Sequence, residues 1–120
     1  MIPLTGNTRL FLFRGPADMR KGFDGLSGMV EEHFCESLFS GSLFIFLNRL
    51  RDRVNILYWD RDGLALWHKR LERGKFQMPA DKDGQAVELT TAELSMLLEG
   101  ITPLRISPRY RVGEEVAATG

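Results

Sequence analysis

Three short segments carry the hydrophobic pattern of β-strands. Residues 9–13 are an apolar run ended by Gly15-Pro16, and residues 43–48 are apolar on both faces. Residues 54–59 are also rich in apolar and aromatic side chains, and residues 49–52 between the two strands predict a hairpin connection. Strands that are apolar on both faces lie centrally in a sheet, so we expect helix to cover at least one face.

Residues 18–34 have the spacing of an amphipathic helix. Asp18 stands where an N-cap is expected, and apolar residues then recur at steps of three or four positions. This helix is the expected cover for the sheet. Its apolar face comprises Met19, Phe23, Leu26, Val30 and Phe34.

A second helix is predicted over residues 64–73. Leu64, Trp67 and Leu71 fall on one side of a helical wheel, which places Trp67 in the core. Lys69, Arg70 and Arg73 fall on the opposite side, near the helix end that favours cations. Gly74 occupies the position of a C-terminal cap.

The second half of the chain predicts two more short strands and one more helix. Residues 75–78 are a candidate strand closed by Pro79, and residues 86–89 are another. Thr90 and Glu93 form a capping-box pattern that opens a helix ended by Gly100. The elements together predict an α+β fold: a small, mainly antiparallel sheet of four to five strands packed against two or three helices. We expect residues 1–107 to form this single domain and residues 108–120 to form a loosely ordered tail.

Composition narrows the class of protein. With 120 residues, 43% hydrophobic and 27% charged, the chain is long enough to bury an ordinary core. The single cysteine, Cys35, excludes an internal disulfide and fits a reducing compartment. No apolar run reaches the length of about 18 residues that a membrane helix needs, and the first residues lack the plan of a secretion signal. We therefore expect a cytoplasmic protein with no membrane partner.

A formal net charge of zero conceals a local excess of positive charge. The stretch 49–75 carries eight of the 16 Lys and Arg residues and only four acids. Such a patch can bind phosphate with a strong dependence on salt. The predicted nucleic-acid-binding residues are Arg49, Arg51, Arg53, Lys69, Arg70, Arg73 and Lys75.

Two interpretations of this patch remain open. Arg49, Arg51 and Arg53 alternate, so an extended hairpin tip would point all three guanidinium groups the same way, as a comb for successive phosphates. The alternative is a charged tip that serves solubility. Tyr58 and Trp59 are possible aromatic contacts for bases, and alternation along a strand exposes only one of them.

A secondary anion site is considered at Arg20 and Lys21, close to the start of the first helix. The favoured alternative there is simple ion pairing of Arg20 or Lys21 with Asp24. The sequence offers no convincing catalytic set and no metal site. Asp60-x-Asp62-Gly63 lacks the glutamate of a calcium loop, and His33, Cys35 and His68 lack a fourth ligand. We expect no enzymatic activity, no metal and no cofactor.

Three ordered motifs resemble a known family. They are DMRKGFDGL at residues 18–26, FSGSLFIF at 39–46 with the following Asn48-Arg49, and ILYWD-x-DGL at 56–64 running on to W-x-KRLE-x-G at 67–74. Together they resemble the TnpB accessory proteins, the second open reading frame products of the insertion-sequence-sixty-six group of bacterial transposons. Leu50 and His68 depart from the residue types common there. The resemblance covers nearly the whole chain.

The resemblance implies a protein that works beside a separate, larger transposase, which supplies the acidic catalytic residues. A further small protein belongs to the same element. The resemblance carries over no catalytic residue. The expected function is therefore a non-catalytic accessory role in DNA transposition, with the basic hairpin and helix contacting DNA at the element ends or the target. The alternative is a protein–protein adaptor that docks on the transposase or another element-encoded protein without DNA. The oligomeric state stays open.

Overall fold

A computed structural model describes residues 4–79 and 82–99 of the chain. In these residues the fold is α+β, with five strands, two α-helices and a short 3-10 turn at Leu38–Ser40. The five strands agree with the predicted sheet of four to five strands, and the described residues hold two α-helices, where two or three were predicted. In chain order the elements are β1 (Leu10–Pro16), α1 (Phe23–His33), β2 (Leu43–Leu47), β3 (Arg53–Asp60), β4 (Gly63–Arg70), β5 (Ala86–Leu89) and α2 (Thr91–Glu99).

The sheet has the strand order β4-β3-β2-β1-β5. Strands β1 and β2 run parallel, with Leu10 beside Leu43 and Phe13 beside Phe46, because α1 carries the chain back between them. The other three pairings are antiparallel, which confirms the prediction of a mainly antiparallel sheet. Strand β2 lies in the centre, and all five of its residues are buried.

Each face of the sheet is covered by a different part of the chain. On one face, α1 packs through Leu26 and Val30 onto a layer of phenylalanines that includes Phe44 and Phe46. On the other face, α2 packs through Leu94 and its neighbours against the aliphatic side chains of β1, β2 and β3. The expectation that the first helix covers one face of the sheet is confirmed.

The predicted helix over residues 64–73 is wrong, because Gly63–Arg70 form the edge strand β4. A tight turn after β3 folds this segment back onto β3, and Leu66 lies opposite Leu57. Leu66 thereby reaches the core under α1. The segment pairs with β3 along its whole length, and this pairing decides its structure although three side chains have helical spacing. Tertiary contacts commonly override local propensity in such segments.

The start of the first helix also differs from the prediction. The helix begins at Phe23, and Gly22 takes the N-cap position with no capping side chain. Asp18 instead accepts hydrogen bonds from the backbone N–H and guanidinium group of Arg20. Phe23 is 46% exposed, so its predicted place on the buried face is wrong. Met19 precedes the helix and still packs against the same core.

The second half of the chain follows the prediction more closely. Strand β5 occupies residues 86–89, as predicted. The capping box is present, since Thr90 N–H donates to Glu93 Oε1 at 2.8 Å and Glu93 N–H donates to Thr90 Oγ1 at 3.1 Å. Residues 75–78 do not form a strand. The predicted cap Gly100 and the predicted tail at 108–120 lie outside the described residues.

Candidate nucleic-acid interface

The predicted basic residues come together at one end of the sheet, where β2 and β4 finish and β3 begins. Arg53 lies directly opposite Arg70, and Lys69 lies opposite Val54. The turn between β2 and β3 carries the other early arginines, and the segment after β4 carries the later cations. All seven side chains are exposed. We call this set the basic end; it comprises Arg49, Arg51, Arg53, Lys69, Arg70, Arg73 and Lys75.

Asn48 organises the turn that presents Arg49 and Arg51. Its Oδ1 accepts hydrogen bonds from the backbone N–H groups of Asp52 and Arg53, both at 3.0 Å. Its Nδ2 donates to Asp52 Oδ1 at 2.7 Å. The Asp52 carboxylate is thereby occupied inside the turn, and it forms no ion pair within the described part of the chain.

The segment after β4 is held against this turn by its backbone. Leu71 N–H donates to the Asp52 carbonyl, and Phe76 N–H donates to the Arg51 carbonyl, each at 2.7 Å. The ring of Phe76 is fully buried in the core beneath α2. Arg73 and Lys75 are therefore fixed beside the arginines of the turn. The sequence did not predict that Phe76 anchors this segment, although an aromatic residue in a polar stretch is a signal for burial.

The electrostatics of the basic end are those of an unneutralised surface. Arg70 contacts Glu72 at 3.2 Å, and both side chains are exposed. The other six cations form no ion pair with any carboxylate among residues 4–79 and 82–99. Guanidinium groups bind phosphate through paired N–H donors, so such a cluster can neutralise several phosphates of one nucleic-acid backbone.

The geometry differs from the predicted comb and helix face. Arg51 has a backbone φ of 60°, in the left-handed region, so the chain from Arg49 to Arg53 is not extended and the alternation fails. Lys69 and Arg70 are neighbours on a strand and therefore point to opposite faces of the sheet. The cations thus wrap around the end of the sheet and do not line a groove between a hairpin and a helix.

The two predicted aromatic contacts lie away from the basic end. Tyr58 is only 8% exposed and belongs to the core, whereas Trp59 is half-buried, so neither of the two is exposed as the alternation predicted for one of them. Trp59 Nε1 donates to the Arg61 carbonyl at 3.0 Å, and its ring meets Phe39 edge-on at 5.0 Å. Trp59 lies six residue steps along β3 from Arg53, about 20 Å at strand spacing. The exposed apolar residue at the basic end is Leu50 instead.

Arg20 and Lys21 lie near the same end of the sheet, since Ala17 N–H donates to the carbonyl of Leu47 at the end of β2. Arg20 donates hydrogen bonds to the Asp18 carboxylate from Nη2 at 2.8 Å and from Nε at 3.0 Å. These hydrogen bonds lower the pKa of Asp18 to about 2. The predicted pairing with Asp24 is wrong, because Asp18 is the partner. Arg20 is thus already paired, while Lys21 forms no ion pair in the described residues.

The remaining chemistry of the described residues is sparse. Among residues 4–79 and 82–99, no group of three or more His, Cys, Asp or Glu side chains is arranged to hold a metal ion. Trp67 packs against the core, as predicted, although it lies on β4 and not on a helix. Neither helix in these residues has the length and apolar character needed to cross a bilayer.

Comparison with known proteins gives a consistent assignment. The family described as IS66 Orf2 like protein matches residues 8–108. The uncharacterized protein y4hO of Sinorhizobium fredii is 37% identical over 101 residues, which span 84% of this chain and 87% of that protein. The uncharacterized protein y4jC of the same organism is 34% identical over 106 residues, 88% of this chain and 90% of that protein. No solved structure matches the chain.

Proposed function

This chain belongs to the family of IS66 Orf2 like proteins, and we propose that it is a non-catalytic accessory protein of transposition that contacts DNA through its basic end. Family membership associates the chain with a bacterial transposon. The observation that carries the DNA contact is the clustering of seven exposed cations at one end of the sheet, six of them without an ion-pair partner in the described residues. The transposase and other proteins of the element are the proposed partners, in the cytoplasm.

The composition of the basic end favours contacts to the phosphate backbone. Arginine and lysine neutralise phosphates and release condensed counterions, so affinity falls with salt by a slope of about 0.9 for each phosphate engaged. Five of the seven residues are arginines, whose fork suits bidentate phosphate contacts. Contacts of this kind position a protein on duplex without reading its sequence. We therefore expect binding that is steep in salt and similar on different sequences.

The test is binding of the purified protein to fluorescent duplex that carries the terminal repeats of the element, and to a scrambled duplex, over a salt series. We expect salt-steep binding to both. The charge reversals Arg51→Glu and Arg70→Glu together should abolish it at moderate salt. Binding and transposition that survive both reversals would rule out this surface, and binding absent even at low salt would rule out the DNA contact.

The adaptor function is the second candidate, and one observation favours it. Phe39 is 64% exposed and packs edge-on against the half-buried Trp59, on the α1 side of the sheet and away from the basic end. Exposed aromatic residues are enriched at interface hot spots. Co-purification with the transposase should then weaken in Phe39→Ser and persist in Arg51→Glu. Equal co-purification of both variants would argue against docking at Phe39.

A further inference from the structure

The two edges of the sheet are built differently. Strand β5, at one edge, has only four residues and carries Glu88, which is paired with Arg9. Strand β4, at the other edge, has eight residues, and no strand in the described part of the chain pairs with its outer side. Natural sheets protect an edge with charges, prolines or bulges. The central four residues of β4, Leu64 to Trp67, have none of these and are only half-buried.

The charges at the two ends of β4 have opposite signs. Asp60 and Asp62 flank Arg61 in the turn before the strand, and Lys69 and Arg70 close the strand, where Arg70 contacts Glu72 at the exposed surface. A second copy of the strand placed antiparallel would bring the acidic turn of each copy to the basic terminus of the other. The edge is therefore complementary in charge to itself, which favours a second copy of this chain over an unrelated strand.

We propose that β4 pairs antiparallel with β4 of a second copy, with Leu66 opposite Leu66, to form a continuous ten-stranded sheet. The twofold axis of such a pair is normal to the sheet, so directly opposed residues belong to the same face in both copies. With Leu66 on the axis, Asp62 lies opposite Arg70, and the small Ala65 lies opposite the large Trp67. This register pairs opposite charges at the ends of the strand and a small side chain with a large one at its centre; the like charges Asp60 and Glu72 are opposed only beyond the paired segment.

The neighbouring symmetric registers are worse. With Trp67 on the axis, Arg70 lies opposite Leu64 and has no charged partner within the strand. With Ala65 on the axis, the favourable pair of Asp60 with Arg70 is offset by Arg61 opposite Lys69. Like charges directly opposed across strands are destabilising. The assembly goes beyond the proposed DNA contact, because it requires neither DNA nor the basic turn at Arg49 and Arg51.

Sedimentation equilibrium of the full chain tests the assembly. We expect a dimer whose dissociation constant rises at least tenfold in Asp62→Arg and in Arg70→Asp, since each substitution places like charges opposite one another twice per dimer. The double variant Asp62→Arg/Arg70→Asp exchanges the charges and should return to within about threefold of the parent. Asp83→Arg, an exposed aspartate near the β5 edge, is the matched control and should leave dimerisation unchanged.

Disulfide trapping tests the register itself in a Cys35→Ser background. Leu66→Cys lies on the axis and should form a covalent dimer on mild oxidation, whereas Leu64→Cys should not, because its two copies lie about 13 Å apart along the strands. A monomeric parent protein at 200 µM would overturn the proposal, as would a double charge variant that fails to recover. Trapping at Leu64 and not at Leu66 would overturn the register. Arg70 also belongs to the basic end, but sedimentation and disulfide trapping are measured without DNA, so their outcomes do not depend on the proposed DNA contact.

Discussion

The two ends of the sheet use arginine in opposite ways. At the end where β1 begins, Arg9 contacts Glu88 at 2.8 Å and Glu36 at 3.1 Å, and its guanidinium group lies 5.0 Å from the ring of Phe11. Hydrogen bonding to Glu88 raises the pKa of Arg9 and lowers that of Glu88. At the basic end, six exposed cations lack such partners among the described residues. Arg9 connects elements of the fold, whereas the basic end is available to an external anion.

The largest effect is expected at the residue that anchors the basic end to the core. Phe76→Ala removes a fully buried ring and should lower the free energy of unfolding by about 3–5 kcal/mol. Urea denaturation measures this change. Phe39→Ala is the control, because that ring is mostly exposed and should matter far less. A loss below about 1 kcal/mol for Phe76→Ala would contradict the anchoring role.

The turn at the basic end gives the next largest effect. Asn48→Ala removes three hydrogen bonds and leaves the N–H groups of Asp52 and Arg53 without their acceptor, which should cost about 1–3 kcal/mol of stability. DNA affinity should fall as well, since Arg49 and Arg51 lose their fixed presentation. Asn7→Ala, at an exposed position, is the control. Unchanged stability would show that Asn48 does not hold the turn.

At the end of the sheet where β1 begins, Arg9→Gln should lower stability slightly and leave DNA binding unchanged. The variant breaks exposed ion pairs, so the urea midpoint should fall slightly while DNA affinity stays within about twofold. A double-mutant cycle with Glu88→Gln should show that the two changes share one interaction. A loss of DNA binding as large as that of Arg51→Gln would remove the distinction between the two ends.

The smallest effect is a pH dependence near the start of α1. Arg20 holds the pKa of Asp18 at about 2, below the ordinary value of 3.8. The stability from this contact is complete above the ordinary value and is lost as pH falls toward 2, because the unfolded chain binds the proton first. Unfolding followed from pH 5 to pH 2 should be flatter for Asp18→Asn than for the parent. Identical profiles would show that Asp18 contributes nothing measurable.

The sequence predicted most of the sheet because β1, β2, β3 and β5 are short, apolar and bounded by turn residues. It failed at β4, where Leu64, Trp67 and Leu71 satisfy a helical period as well as a place beside β3. No local pattern distinguishes these two outcomes. The partner strand decides between them, so only tertiary structure settled this segment.

The sequence identified the residues of the candidate site, but the arrangement predicted for them, a comb of arginines and a helix face, was wrong. Charge counting found the cations of the basic end, since exposed Lys and Arg need no tertiary context to be recognised. Their arrangement depends on the left-handed backbone of Arg51, the side-chain bonds of Asn48 and the buried ring of Phe76. These three features depend on backbone geometry or on contacts with other parts of the fold. The alternation of side chains along a strand does not predict them.

A matched pair of arginines tests the central claim most directly. Arg51 and Arg61 are both exposed, both lie in turns that flank β3, and both have a φ of 60°, but they occupy opposite ends of the sheet. The measurement is the salt dependence of DNA binding for Arg51→Gln and Arg61→Gln, made at protein concentrations where the chain is monomeric, because pairing of two β4 strands would bring Arg61 close to the basic end of the second copy. We predict that Arg51→Gln reduces the slope by about 0.9 and weakens binding to all duplexes, while Arg61→Gln changes neither. Equal slopes for the two variants would contradict the assignment of DNA binding to the basic end.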